Sequence, residues 1–390
     1  MTVLPTSTRV WLSEDDCRLE DLLAIIGATT NMDDYPHARA VEQGVLVYDS
    51  AMLPRSSDRT RREIQAEWVR ALTDGPGVIV CHGAFDDHDV VDRATDAFAA
   101  MIADQRTGGG TSGDHFARPG ANDRVWNALE KLALHDPATF VDYYANDVLA
   151  LVCAAWLGPG YQVTSQINVV NPGGQGQTVH RDYHLGFQSN DVAAQYPAHT
   201  HVLSPVLTLQ GAVAHCDMPI ESGPTLYLPH SQKYELGYLA WRRPEFREYF
   251  QTHHVQLPLA KGDAVFFNPA LYHAAGSNHS QDIRRMANLL QVSSAFGRAM
   301  ESVDRTRMCR ALYPVLLERR IAGWVEPLLD NAVAAAAEGY SFPTNLGHDQ
   351  PLGGLASQTQ ADLVRQALRE GWDPSRFEAG LDAHAQRRLA

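Results

Sequence analysis

The sequence predicts a mainly β core with flanking helices, of the sandwich or jelly-roll kind, and three observations predict it. Between Gln162 and about Ser294 short runs rich in Val, Ile, Leu and Phe alternate with Gly, Pro, Asn and Asp turns, the spacing of an all-β sandwich or barrel. On either side of that stretch the apolar residues recur at helical spacing instead. Inside it, a glycine-rich turn delivers a His-x-Asp pair whose chemistry calls for a partner from a distant strand.

Taken in order, residues 1–58 mix polar and apolar residues with turn signals such as Asp33-Asp34-Tyr35-Pro36, and are expected to form an N-terminal extension packed on the core. From Thr60 to Leu72, Ile64, Trp68, Val69 and Leu72 mark a helix that Gly75-Pro76-Gly77 ends, and Val78 to Cys81 reads as a short buried strand. A second amphipathic helix is expected over 89–104. Thr107 to Asp114 is glycine-rich but lacks the Gly-Lys-Ser/Thr ending of a Walker loop, and reads as a connection. Helical stretches between Val125 and Leu157 break at Asp136-Pro137. Five strands follow, at 163–170, 206–214, 253–257, 264–268 and 285–292, with a helical insertion over 233–250. Helix returns at 303–337, broken near Pro314 and Pro327, with one more at 361–370. One domain is expected over 59–302, with 303–390 a C-terminal helical extension.

Composition narrows the function. At 390 residues, 45% apolar and 20% charged, the chain has the makings of an ordinary folded core. A formal charge of −14 disfavours nucleic acid or an anionic membrane as partner, since both reward a basic face. The expected partner is a small-molecule substrate, with the protein a monomer or homodimer. Five scattered cysteines form no C-x-x-C and no disulfide framework, and the start lacks the basic and apolar segments of a signal peptide, so a cytoplasmic location is expected.

The chemistry centres on 171–184. In an extended strand His180 and Asp182 point to one face and Arg181 to the other. Imidazole plus carboxylate, joined by a second histidine, makes the two-histidine, one-carboxylate triad that leaves a metal with open positions. Taken alone, H-x-D fits a hydrogen-bonded pair at a sheet edge equally well. The second histidine is best supplied by His273, at the end of an apolar strand and flanked by small residues that leave room beside the ring. Arg284, eleven positions on, heads the next strand, where a guanidinium can grip a carboxylate with two bonds. Arg285 would point to the opposite face, and spacing favours Arg284. Extended parity places His184 in the site with Asp182 and turns Tyr183 away. His199 and His201 follow Tyr196-Pro197 in a polar segment expected to loop over the site.

These motifs, in order, are His180-x-Asp182, the turn Glu221-Ser222-Gly223-Pro224-Thr225 leading to Leu228-Pro229-His230-Ser231-Gln232-Lys233, the run Gly262-Asp263-Ala264-Val265-Phe266-Phe267, His273 and Arg284. Together they resemble the phytanoyl-CoA dioxygenase family over about residues 77–294. The resemblance implies a double-stranded β-helix, a cupin-like jelly roll, and an Fe(II)- and 2-oxoglutarate-dependent dioxygenase that also consumes O2. It implies that His180, Asp182 and His273 ligate iron, that Arg284 and Asn168 bind the cosubstrate, and that a small organic substrate is hydroxylated as 2-oxoglutarate becomes succinate and CO2. Gln177, Thr225 and His184 are expected to line the substrate. Asp182 argues against halogenation, for which relatives carry a small residue at that position. The alternatives are a cupin-type metal hydrolase or isomerase, and a non-catalytic jelly-roll binding protein.

Overall fold

The computed structural model describes residues 10–55, 57–107, 120–351 and 353–389; the glycines at 108–110 and 113 lie outside them. Among the described residues, eleven strands form two sheets. The strands are β1 (Ala40–Glu42), β2 (Val45–Asp49), β3 (Val78–His82), β4 (Asn122–Val125), β5 (Gln162–Val170), β6 (Thr208–Ala214), β7 (Leu226–Leu228), β8 (Val255–Gln256), β9 (Ala264–Phe267), β10 (Tyr272–Ala274) and β11 (Arg285–Ser293). The large sheet runs β1-β2-β3-β9-β6-β11-β5-β4 and the small one β10-β7-β8. The large sheet is mixed, because β2 and β3 pair in parallel while its other pairs are antiparallel.

Alternation explains why two layers pack on the large sheet. Ile79, Cys81, Leu209, Val213, Phe266, Leu290 and Val292 pack in the main core with the helices. Their neighbours Val78, Val80, Ala212, Ala214, Val265, Phe267 and Ala287 pack with Tyr227 and Leu271 of the small sheet. Successive side chains on a strand point to opposite faces, so one strand feeds both cores. A third core, with Tyr234, Leu239, Phe246, Phe250 and Tyr272, lies on the other face of the small sheet.

The expectation of a mainly β chain is corrected: helix accounts for 47% of it. Buried two-faced strands need a helical layer, and Ala128–His135, Pro137–Tyr144 and Asp147–Leu157 supply it together with Arg305–Ile321 and Glu326–Ala336. Pro314 lies inside the helix Arg305–Ile321 rather than ending it, and Pro327 starts the next one at its first turn, where no amide partner is lost. The first 58 residues do more than wrap, since β1 and β2 form the edge of the large sheet. The last helix, Pro374–Arg387, carried a cap signal at Asp373 that the sequence reading passed over. All five cysteines are free, and no single helix among the described residues is long and apolar enough to cross a membrane.

Candidate metal centre

The approach to the site is set by backbone contact. Gly176 lies so close to the 275–277 backbone that a Cβ would stand 2.3 Å from the Ala275 carbonyl. The segment then runs antiparallel to β10, where His180 N–H donates to the His273 carbonyl at 3.0 Å and His273 N–H returns the bond at 3.2 Å. Directly opposed residues share a face, so two imidazoles 93 residues apart in sequence stand with ring centroids 4.4 Å apart.

Asp182 completes the cluster. Its carboxylate oxygens lie 3.6 Å from His180 Nε2 and 3.5 Å from His273 Nε2, and all three ligand atoms fall within 4.8 Å of one another. His180 Nδ1 faces the Thr178 carbonyl at 2.8 Å and His273 Nδ1 the Leu271 carbonyl at 2.9 Å. A carbonyl only accepts, so each Nδ1 carries the proton and each Nε2 presents a lone pair to the shared point. Gln210 of β6 donates its amide to Asp182 Oδ2. Burial by itself raises the Asp182 pKa, but His180, His273 and the Gln210 bond outweigh it and hold the carboxyl below the ordinary carboxylate range. Burial likewise lowers the pKa of His180, against the pull of Asp182. Two imidazoles with Nε2 turned to one point and a carboxylate make the donor set of a borderline divalent metal with open positions.

Arg181 anchors the same strand from behind. Its fully buried guanidinium donates to the carbonyls of Ser231 (2.6 Å) and Tyr234 (3.0 Å) and lies 5.1 Å from the ring centroids of both Tyr238 and Tyr272. Gly237 leaves the space it fills, since a Cβ there would overlap it.

After Asp182 the parity expectation fails. Tyr183 and His184 have φ of 61° and 40°, left-handed values rare outside glycine, and the chain leaves the extended path into a short 3-10 turn. Tyr183, expected to face away, is buried beside Asp182 and near Thr164 of β5. His184 is half-buried and faces the Ser204 hydroxyl at 3.2 Å. The segment expected to loop over the site forms a helix, Ala198–Val206; its His201 is buried against the Ala193 carbonyl at 3.0 Å, and His199 is exposed. Arg242 of the expected insertion clamps this region, donating to the carbonyls of Gly186 and Gln188.

Arg284 and Arg285 fall on opposite sides of the sheet. Arg284 lies outside β11 with its side chain 55% exposed, bonded to Asn171 Oδ1 (3.2 Å) and Asp123 (3.5 Å). Arg285 opens β11 and is buried, with no partner for its Nε. It shares the inner face with Ala287, Leu289 and Gln291, and Gln291 pairs with Gln210. Register also places Asn168 opposite Ala287, on that same face. Thr225 sits two residues from Tyr227, and Tyr227 pairs with His273, so both face inward. Gln177 is exposed, and its N–H donates to the Ala275 carbonyl at 2.9 Å. Gln210 and Tyr227 escaped the sequence reading, which set Arg285 aside in favour of Arg284. A lone Gln within the buried strand Thr208–Ala214 was the one available sign.

The family model for phytanoyl-CoA dioxygenase (PhyH) matches residues 44–286. Among solved structures, the non-heme alpha ketoglutarate dependent epimerase SnoN from nogalamycin biosynthesis is 18% identical, covering 61% of this chain and 82% of its own at a TM-score of 0.41. The carbocyclase SnoK from the same biosynthesis is 19% identical, covering 62% and 85% with a TM-score of 0.41. AviO1 from Streptomyces viridochromogenes Tue57 is 18% identical, covering 60% and 97% with a TM-score of 0.42. A search of curated proteins finds no significant match. With more than half of its length matched by the family model, the chain belongs to the phytanoyl-CoA dioxygenase family.

Proposed function

We propose that the protein is an Fe(II)- and 2-oxoglutarate-dependent dioxygenase acting on a C–H bond of a small organic substrate. The balance is substrate, 2-oxoglutarate and O2 in, with hydroxylated substrate, succinate and CO2 out. The observation that carries it is the convergence of His180 Nε2, His273 Nε2 and the Asp182 carboxylate within 4.8 Å. Both imidazoles are already in the tautomer that a metal needs. On this reading the two sheets are the halves of a double-stranded β-helix, and residues 59–302 carry the chemistry.

The inner surface fits the cosubstrate. Between the level of Gln210 and that of Arg285 the floor is Ala212, Leu289 and Gln166, then Ala214, Ala287 and Asn168. Three alanines leave a slot for a thin dicarboxylic chain. At its end the buried Arg285 Nε and Asn168 Oδ1 have no protein partner, and buried polar groups are rarely left so. Burial pushes the Arg285 guanidinium down to about 10, and a bound carboxylate would relieve that cost. Arg285, with Tyr227 and Thr225 beside it, would hold the far carboxylate, and the triad would hold iron, which when bound supplies the site where O2 is activated. Gln210 fixes the Asp182 carboxylate, and Tyr183 closes the space beside it against water.

The test is anaerobic titration of purified protein with Fe(II) and 2-oxoglutarate. A visible metal-to-oxo-acid absorption band is expected in the wild type and not in Asp182→Ala. Absence of the band, with iron affinity unchanged in that variant, would sink the proposal.

A further inference from the structure

The helix Ala198–Val206 is inside out for a surface helix. His201 and Ser204 are buried, while Val202, Leu203 and Val206 are exposed. At 3.6 residues per turn those three fall within an arc of about 100°, opposite His201 and Ser204. A helix on the surface of a globular protein ordinarily turns such a stripe toward the core.

Both ends of the helix extend the stripe. At its start the Val10 carbonyl accepts from Ala198 N–H at 2.8 Å, and Trp11 bridges to Pro197, the residue after Tyr196. At its end Ser294 N–H donates to the Leu207 carbonyl at 2.8 Å, which brings Phe296 alongside. Trp11, Tyr196, Val202, Leu203, Val206 and Phe296 are each between 41% and 76% exposed. Together they offer on the order of 600 Å² of apolar surface, the upper end of what a monomer carries in one patch. The ground is also uncharged: in a chain of net charge −14 there is no Asp, Glu, Lys or Arg from 192 to 216 or from 286 to 297.

A second copy of the chain fits this face best. The stripe points away from Ser204, the residue that meets His184 two positions after Asp182, so it does not line the metal centre where a substrate would react. An anionic lipid surface is disfavoured by the net charge and by the lack of any lysine or arginine in these two stretches. Aromatic, charge-depleted surface is instead the composition of a protein interface core. Pairing about a two-fold axis brings the same residues together from both sides, and an uncharged apolar face is complementary to itself where a charged one is not. With a polar rim added, the patch approaches the roughly 800 Å² that each partner contributes to a stable interface.

We propose that the protein is a homodimer paired through the helix Ala198–Val206, with Val202, Leu203 and Val206 at the centre of the contact and Trp11, Tyr196 and Phe296 around them. Pairing is independent of the chemistry at the triad, but the partner braces the helix whose Ser204 faces His184.

The test is sedimentation velocity of the full chain over a concentration series from submicromolar upward. A dimer is expected for the wild type. Leu203→Glu and Phe296→Glu, on separate segments, each place like charges face to face and should raise the dissociation constant tenfold or more. Ile321→Glu, at an equally exposed apolar residue on the helical layer, should leave it within about twofold. Circular dichroism checks the fold of each variant, and if one of the two interface variants does not fold, the other decides. A wild type that stays monomeric throughout would overturn the proposal, and one that also floats with neutral phosphatidylcholine vesicles would assign the face to a lipid surface instead. A dimer that survives folded Leu203→Glu or Phe296→Glu with unchanged affinity would overturn it as well, since the contact would then lie elsewhere.

Discussion

Arg284 and Arg285 are adjacent in sequence and serve opposite sides of β11. Arg284 turns outward to Asp123 and Asn171, while Arg285 is buried on the face that carries Gln291, opposite Gln210. A one-residue change of register in a strand exchanges inside for outside.

Arg285→Ala is accordingly expected to weaken 2-oxoglutarate binding by about 10- to 100-fold, the scale of a lost charge-assisted contact. Arg285→Lys should recover only part of it, because an ammonium cannot make the paired bonds of a guanidinium. Arg284→Ala should leave the affinity within about twofold. Equilibrium titration of the three variants decides it, and equal losses at both positions would count against the inward assignment.

Gln210→Leu removes the amide that holds Asp182 Oδ2 without changing the size of the side chain much. Groups that orient metal ligands typically contribute about 10- to 100-fold in affinity. Iron affinity measured by competition with a chelator should fall by that amount, with the thermal midpoint nearly unchanged.

Gly237→Ala would drive a methyl into the Arg181 guanidinium, which is enclosed by Tyr238 and Tyr272. Overpacking of this kind costs about 1–3 kcal/mol. Denaturant unfolding should show that loss. Because Arg181 lies between His180 and Asp182, the proposed iron ligands, iron binding should weaken along with it. Loss of stability at full iron affinity would show that the strand does not depend on its buried anchor.

His215 gives the fold a dependence on pH. It is buried between the Thr95 hydroxyl (2.9 Å) and the Tyr143 hydroxyl (3.0 Å), with Asp92 and Lys261 the nearest charged influences, and burial lowers its pKa to about 3. The folded pKa lies below the unfolded one, so its stabilisation is complete above about pH 6.5 and is lost as the pH falls from there toward 3. The slope from this one group is about 1.4 kcal/mol per pH unit. His215→Gln should show a shallower fall in unfolding free energy between pH 6 and 4 than the wild type, and parallel curves would refute the assignment.

The sequence by itself determined the inventory. Strand periodicity between Gln162 and Ser293, the helices that flank it and the ligand types of His180, Asp182 and His273 are local properties: alternation, turn residues and side-chain chemistry survive without knowledge of the neighbours. What only the tertiary structure decided is orientation. The resemblance gave Asn168 a place in the cosubstrate site, but alternation could not say which of Arg284 and Arg285 shared its face, because β11 is apolar on both sides and the register with β5 and β6 is a long-range choice. Parity was sound as far as Asp182 and failed one residue later, where Tyr183 and His184 take left-handed backbone that packing imposes against their own preference. The helical share was underestimated for the same reason: a sheet buried on both faces requires a second layer, and that need appears only when the strands are assembled.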